Sequence, residues 1–408
     1  MAGKTNQYKD RLLLQKLFYT LGILFLYLIG RSIPLFGIDT AFYKNQGVNA
    51  ETLLIQTISG DLHQCSLFAL GISPYMTASI LVQVVTMLRK SESRAKQSRI
   101  RQNRVTTALM LGIALVQSVL HVRKLVYCVP ENELLQTQIV SIAAMMAGVV
   151  LIQRMSERNK KYGIGGQTVL ILVNITDGLL TMVTGCAKEK LPVLLGTGFL
   201  IMLVTVFAEN TEKRIGLQRI GIQSNLADKN YMAIKLNPIG IMPAMFATAF
   251  FLLPQIVVNL LHTVFPTNPA ILWILENLML TKPLGIGVFL FFIYLLSVVF
   301  SLLFLSPEDV SDRMLKNGDS FVNLHPGKAT KRYLTKSIVT LGIISATIMG
   351  ACVGVPLVLQ YLHPEENTAI MVPTSVMMLT GLVCTLWDET HAIRKLDTAE
   401  PFIGIGTK

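Results

Sequence analysis

Ten long apolar runs constrain this chain more than any other feature of its sequence. A helix needs about 20 mostly apolar residues to cross the hydrocarbon of a bilayer, where every peptide group must be hydrogen-bonded within the protein. The runs are continuous rather than alternating, which favours helices over the strands of a membrane barrel. With 52% hydrophobic and 15% charged residues, the chain has more apolar surface than a soluble core needs. We therefore predict an all-α polytopic membrane protein with transmembrane helices near residues 12–30, 65–88, 105–127, 138–155, 166–185, 191–208, 239–262, 284–305, 337–359 and 371–390.

Lysine and arginine indicate the orientation of these helices, because short loops rich in both stay on the cytoplasmic side. If the N-terminus is cytoplasmic, 29 of the 36 basic residues fall in cytoplasmic segments, so both termini are predicted inside. The first span is expected to carry targeting without cleavage. Topology and attraction to anionic lipid explain the basic loop 89–104, whereas loops 207–236 and 306–335 are long enough to dock a soluble partner. Nucleic acid is not an expected partner, since no aromatic residues alternate with the basic ones.

A nine-residue motif occurs twice, beginning at Gly71 (GISPYMTAS) and at Gly240 (GIMPAMFAT), with five identities. Each copy lies in the second predicted span of a five-span half, so the halves are 1–186 and 187–408. An odd number of spans per half inverts the second half relative to the first, as in many transport proteins. The alternative is a chance recurrence, because Gly and Pro are both common in membrane helices.

Signals of catalytic chemistry are sparse. The five cysteines form no C-x-x-C pair, and neither a metal-binding H-E-x-x-H nor a hydrolase G-x-S-x-G is present, so we expect no enzyme, metal or cofactor. Asp177 lies within a predicted span and is a functional candidate for that reason. In a transporter it would bind a proton or cation, and in a channel it would face a water-filled funnel. Gln83, Gln117 and Thr248 are candidates for hydrogen bonds between helices.

Several segments resemble SecY, the protein-conducting channel of the bacterial plasma membrane. The similarity is carried by LFALGISPYMTASILVQ ending at Gln83, by YGIG before the fifth span, and by KLNPIGIMPAMFA entering the seventh. Segments 31–39, 304–309 and 323–328 also match the family pattern, and all six occur in family order.

The resemblance implies an hourglass of two five-helix halves that opens across the membrane for polypeptides and sideways for hydrophobic segments. Its waist would be an apolar ring that resists wetting and that flexible methionines could fit around a passing chain. Residues 51–64 match the plug of the closed channel. The implied pore ring is Ile72, Met76, Leu172, Met245 and Met378, and the candidates for the sideways gate, between spans two and three and spans seven and eight, are Gln83, Gln117 and Thr248.

Departures from housekeeping SecY are typical of the accessory branch of the family in Gram-positive bacteria. The loop after span six loses much of its charge beyond Arg219, and His325 stands where most members have arginine. This branch implies export of serine-rich, often glycosylated adhesins by a SecA-like ATPase, with SecE-like and possibly SecG-like subunits. The alternatives are a housekeeping SecY or an ion-coupled transporter using Asp177. The expected motor-docking residues are Arg214, Arg219, His325 and Lys328.

Overall fold

The computed structural model describes residues 2–38, 65–88, 99–123, 125–184, 191–219, 231–265, 268–322, 324–362 and 372–398. The predicted plug at 51–64 lies outside these residues. The described part is mostly helical, with three short strands. Its helices are α1 (Ala2–Ser32), α2 (Ser73–Leu88), α3 (Arg99–Val122), α4 (Glu131–Tyr162), α5 (Thr168–Thr184), α6 (Leu191–Asn210), α7 (Met242–Val264), α8 (Pro269–Asn277), α9 (Pro283–Leu305), α10 (Pro307–Asn317), α11 (Lys328–Leu362) and α12 (Val372–Thr398), and its strands are β1 (Glu212–Arg219), β2 (Tyr231–Lys235) and β3 (Asp319–Phe321).

Each of the ten predicted spans falls on one of these helices, with α8 and α10 as short additions between spans. Seven of the described helices are long and apolar enough to cross a membrane, namely α1, α3, α4, α6, α7, α9 and α11. Helix α5 is apolar but only 17 residues long. Helix α2 has 16 residues, and α12 has 27 residues with charges in its second half. The count of ten therefore remains a prediction.

The repeated motif begins a helix in both halves rather than interrupting one. Gly71 and Gly240 have positive φ values of 56° and 66°, and helices α2 and α7 begin two residues later. A proline lies in the first turn of each, where a missing N–H costs nothing. The N–H of Met76 donates to the carbonyl of Ile72 at 3.0 Å, and the equivalent bond in the second copy joins Met245 to Ile241 at 3.3 Å. The two copies therefore share backbone conformation as well as sequence.

Alanine at Gly71 or Gly240 is expected to destabilise the protein by about 1 kcal/mol, because a Cβ disfavours positive φ by about that amount. At Gly240 the added Cβ would meet Glu209 oxygens at ordinary contact distances of 3.6 Å and 3.7 Å, so the backbone conformation alone is tested. The control is Gly112→Ala in the interior of α3, where the Cβ meets nothing within 4 Å. There alanine should stabilise by roughly 0.5–1 kcal/mol. Thermal unfolding in detergent measures both changes in stability. A change of the same sign at Gly112 as at Gly71 or Gly240 would contradict the positive φ assigned to the two motif glycines.

Contacts between helices are densest within two groups, one from each half of the chain, except that α5 packs mainly on α12. In the first half α2 packs on α3, α3 on α4, and α4 on α1, while in the second half α9 packs on α7 and α11, and α12 on α6. The groups touch along two seams, one between α2 and α7 and the other where α12 meets α5 and α1. The largest hydrophobic cluster is built from residues of both groups.

A three-stranded antiparallel sheet in the order β2-β1-β3 joins the two long loops of the second half. Strand β1 pairs with β2 through Glu212 to Gly216 and with β3 through Leu217 to Arg219. The inward face of the sheet contributes Ile215, Ile234 and Phe321 to a separate apolar cluster with α10 and α11. The sheet therefore packs against the helices at the end of the helical layer, meaning the membrane-crossing helices together, where α6 ends and α11 begins.

Candidate functional site

The five predicted ring residues meet in one hydrophobic cluster between the two halves. Ile72 precedes α2, Met76 and Met245 lie in the first turns of α2 and α7, Leu172 lies in α5 and Met378 in α12. Four of them are at most 5% exposed, and Leu172 is half-buried. All four of these helices lie at the two seams, so the cluster contains apolar side chains from both groups. No Asp, Glu, Lys, Arg or His side chain among the described residues belongs to this cluster.

The second copy of the motif contributes a further residue to the cluster that the sequence analysis did not name. Ile241 is the counterpart of Ile72 in the second copy of the motif, and both are 2% exposed within the same cluster. A residue-by-residue alignment of the two copies would have identified Ile241, because each of the two isoleucines directly follows the glycine with positive φ. Ile241 also lines the small cavity formed beside Glu209 and Asn237, so we do not add it to the candidate ring.

Two of the gate candidates, Gln83 and Thr248, lie on the helices of the α2/α7 seam, whereas Gln117 lies on α3, which packs on α2. Gln83 on α2 and Gln117 on α3 are half-buried. Thr248 on α7 is 1% exposed, and its hydroxyl donates to the carbonyl of Ala244 one turn earlier in the same helix, at 3.3 Å. A bond of this kind satisfies the hydroxyl locally, so a contact across the gate by Thr248 stays a prediction.

Asp177 forms an ion pair with Arg31 at the end of α1, a partner that sequence reasoning did not identify. Arg31 is 4% exposed, whereas the Asp177 side chain is 43% exposed. One turn earlier, the hydroxyl of Tyr27 donates to Asn174 Oδ1 at 2.9 Å. Arg31 lies four residues after Tyr27 on α1, and its partner Asp177 lies three residues after Asn174 on α5. The two helices therefore run in the same direction, as the alternating topology predicts for spans one and five.

A second buried polar network lies at the sheet end of the second half. Asn237 Nδ2 donates to Glu209 Oε1 at 2.7 Å, and Ser345 Oγ donates to Asn237 Oδ1 at 2.7 Å. These side chains line a cavity of about 20 Å³ together with Met377, which has room for one water molecule. Lys235 of β2 forms an ion pair with Asp388 of α12 nearby. The network therefore ties the sheet to α6, α11 and α12.

The turn between α4 and α5 contains the YGIG motif and connects the two halves at the same end. Asn159 Nδ2 donates to the carbonyls of Ile164 and Gly166, each at 2.9 Å, and the Ile164 N–H donates to Thr20 Oγ1 at 3.0 Å. The Gly165 N–H donates to Glu389 Oε1 of α12 at 3.2 Å. Glycine is required at 165, where φ is +75° and a Cβ would collide with Leu386.

Four predicted docking residues lie in or beside the sheet. The Arg214 guanidinium is exposed and lies 4.8 Å from the ring centre of Tyr231 on the outward face. Arg219 ends β1 opposite Asp319 of β3. His325 lies between β3 and α11 and Lys328 is the first residue of α11, and both are exposed. The His325 carbonyl accepts a hydrogen bond from Thr330 at 2.9 Å. The structure thus brings both predicted docking loops into one unit.

Metal-binding chemistry has no obvious place in the described residues, where no cluster of three or more His, Cys, Asp or Glu side chains occurs. The cysteines at 65, 128, 352 and 384 form no disulfide within the described part of the chain, and Cys128 is exposed.

Two groups of long apolar helices that share one hydrophobic cluster, with a sheet at one end, are typical of a polytopic membrane channel. A sequence model of SecY matches residues 66–387, and the chain belongs to the SecY family. It is 30% identical over 397 residues to the accessory Sec system protein translocase subunit SecY2 of Streptococcus agalactiae serotype III, covering 95% of each chain. The SecY2 of Leuconostoc gelidum subsp. gasicomitatum is 28% identical, with 94% of this chain and 95% of that one covered.

Solved structures agree with this fold. A protein-conducting channel aligns with a TM-score of 0.66 at 20% identity, covering 96% of this chain and 95% of the other. Sec61 in the canine ribosome-channel complex aligns with a TM-score of 0.63 at 19% identity over the same shares. The fold class predicted from sequence is confirmed, and the chain is a protein-translocation channel of the SecY family.

Proposed function

We propose that this chain is the central channel of an accessory Sec system, exporting serine-rich glycosylated adhesins across the bacterial plasma membrane. Both termini are cytoplasmic in this proposal. A SecA-like ATPase drives transport, and SecE-like and SecG-like subunits complete the membrane complex. The chain itself carries no catalytic centre and needs no cofactor.

The observation that carries the pore proposal is the convergence of Ile72, Met76, Leu172, Met245 and Met378 from four parts of the chain into one apolar cluster. A constriction lined only by apolar side chains gives ions and water no polar contact and so closes by dewetting. A polypeptide in transit would displace these side chains, and methionine adapts to different shapes because it is unbranched and has three rotatable bonds. The same residues then close the resting channel and contact the polypeptide during transport.

Motor docking is supported by the sheet that combines the two loops. Strand β1 carries Arg214 and Arg219, while β3 leads directly to His325 and Lys328. Because Phe321, Ile215 and Leu334 bury the inner face of the sheet against α11, force applied to either loop reaches the helices of the second half. A single rigid platform suits a motor that pushes on the channel.

The accessory assignment is supported by the names of the relatives and by the reduced charge beyond Arg219. A housekeeping SecY for general secretion remains the second candidate, since both branches have the same fold. The clients separate the two, because an accessory channel should engage a serine-rich adhesin in preference to an ordinary secretory precursor.

Site-specific crosslinking tests both the pore and its client. We expect a photo-crosslinking amino acid at Met76 or Met245 to react with a serine-rich adhesin stalled during export by the complete translocase. An ordinary precursor stalled in the same way should react much less. In the proposed pore the ring residues form the narrowest part of the path, so they should contact the chain directly. Crosslinked products are measured by immunoblotting for the substrate.

Met182 provides the matched control position. It is fully buried in the same cluster, but its sulfur lies 3.7 Å from Ser375 Oγ between α5 and α12. The probe at this position should give no product with either substrate. Crosslinking at Met182 alone would contradict the pore assignment, and equal products from both substrates would favour the housekeeping role.

A further inference from the structure

Helix α8 is an apolar helix that the described residues cover only in part. It has nine residues, PAILWILEN, and none of them is buried. It connects α7 to α9 and packs against both. Because the sheet is formed by segments that precede α7 and follow α9, α8 lies at the opposite end of the helical layer.

Both ends of α8 are nevertheless fixed. The Asn268 side chain caps the first turn by accepting from the Ala270 N–H at 3.1 Å. After the helix, Leu278 and Leu280 insert into the main hydrophobic cluster, and Gln255 Nε2 of α7 donates to the Leu278 carbonyl at 3.1 Å. The helix is thus held at a defined position against the surface of α7.

A helix of this length and composition is not expected to be stable with its apolar side chains in water. Isolated helices shorter than about 12 residues are marginal in water, and most helices owe their stability to burial of an apolar face. In α8 the large side chains are turned outward, with Trp273 57% exposed. Another environment must therefore cover this face.

The bilayer is the cover that the neighbouring surfaces indicate. Exposed apolar side chains continue from α8 through Phe265 to Val257, Leu260 and Leu261 on α7, a helix long and apolar enough to cross the membrane. The exposed face of α8 is therefore an extension of a lipid-facing surface. Two residues define its depth. Tryptophan prefers the headgroup region, and Glu276, the one charged residue of α8, is too costly to place in hydrocarbon.

We propose that α8 is a lipid-binding helix that lies in the bilayer interface opposite the sheet, with Trp273 at headgroup level. In the proposed orientation this is the outer leaflet. Because α8 is attached to both α7 and α9, the bound lipid holds these two helices at a fixed depth beside the α2/α7 seam.

Tryptophan fluorescence tests this proposal directly, since the chain has only two tryptophans, Trp273 and Trp387. The variant Trp387→Phe retains Trp273 alone, and Trp387 is itself 68% exposed, so its loss should not disturb folding. The whole complex is reconstituted in vesicles containing phosphatidylcholine brominated at defined chain depths. The double variant W273F/W387F supplies the background from other subunits, and W387Y repeats the measurement with a second replacement.

We expect bromines close to the headgroups to quench Trp273 more strongly than bromines near the chain ends, and aqueous iodide to quench it weakly. Strong quenching by iodide with none by brominated lipid would overturn the proposal, because α8 would then be in water. Protection from both quenchers would also overturn it, since a protein surface would cover the helix. Strongest quenching by the deepest bromines would contradict the interfacial depth.

Discussion

Replacing Met76 or Met245 by glycine is expected to make the resting channel conduct ions without a translocating chain. Each substitution removes an apolar side chain that is at most 5% exposed at the junction of the halves. A wider constriction holds water more readily, and dewetting no longer closes it. We expect the leak to rise by about tenfold or more, which corresponds to a lowering of the barrier by about 1.4 kcal/mol. Conductance of single channels in planar bilayers measures the change.

Met377→Gly is the matched control for this experiment. Met377 adjoins the ring candidate Met378 on α12 and is 2% exposed, but it lines the small cavity beside Glu209 and Asn237. Removal of a buried methionine side chain costs about 2–5 kcal/mol of stability at any of the three positions. The stability losses should therefore be similar, while the leak should appear only for the ring positions. A leak of equal size from Met377→Gly would show that loosened packing, rather than the ring, controls conductance.

Asp177→Asn is expected to destabilise the protein while leaving polypeptide export in place. The substitution deprives the buried guanidinium of Arg31 of its carboxylate partner. Breaking a fully buried ion pair from one side costs about 3–5 kcal/mol. Because the Asp177 side chain is 43% exposed and solvent screens its charge, we expect about 1–3 kcal/mol. Thermal unfolding measures the stability loss, and an export assay with inverted vesicles measures function.

Asp388→Asn serves as the control, because its ion pair with Lys235 is at the surface, with the two side chains 56% and 36% exposed. Surface pairs of this kind contribute about 0–1 kcal/mol, so the unfolding temperature should change little. The export result distinguishes two classes of protein. If Asp177→Asn abolished transport while the protein remained folded, an ion-coupled transporter with a site at Asp177 would replace the passive pore.

Much of the fold could be predicted from local patterns. Each apolar run became a helix because a peptide group in hydrocarbon has no partner other than its own segment. The repeat of Gly71 and Gly240 was also readable, since identical residues need the same left-handed turn before a proline-containing first turn. The helix start at the motif was not predicted, because apolarity continues through residues 65–72 and hydropathy does not detect a backbone break.

Parts of the site that depend on distant residues were not predictable. The sequence indicated Asp177 as an unusual charge in a span, yet nothing in the local pattern identified Arg31 as its partner 146 positions away. The outward direction of the α8 side chains likewise depends on where Leu278 and Leu280 enter the core. The joining of two loops through β1 and β3 also escaped detection, since β3 has only three residues.

The sequence by itself determined the membrane-embedded class and the repeated glycine-proline motif, and it predicted two halves and an apolar constriction between them. The membrane-embedded class follows from the lipid environment, because each segment that crosses the hydrocarbon must itself be apolar over about 20 residues, and such a run is visible in the sequence. Only the tertiary structure decided which residues meet. It gathered Ile72, Met76, Leu172, Met245 and Met378 into one cluster with Ile241, paired Arg31 with Asp177, and combined two loops in one sheet. Such contacts join residues far apart in the chain, and their free energy exists only after the helices have packed.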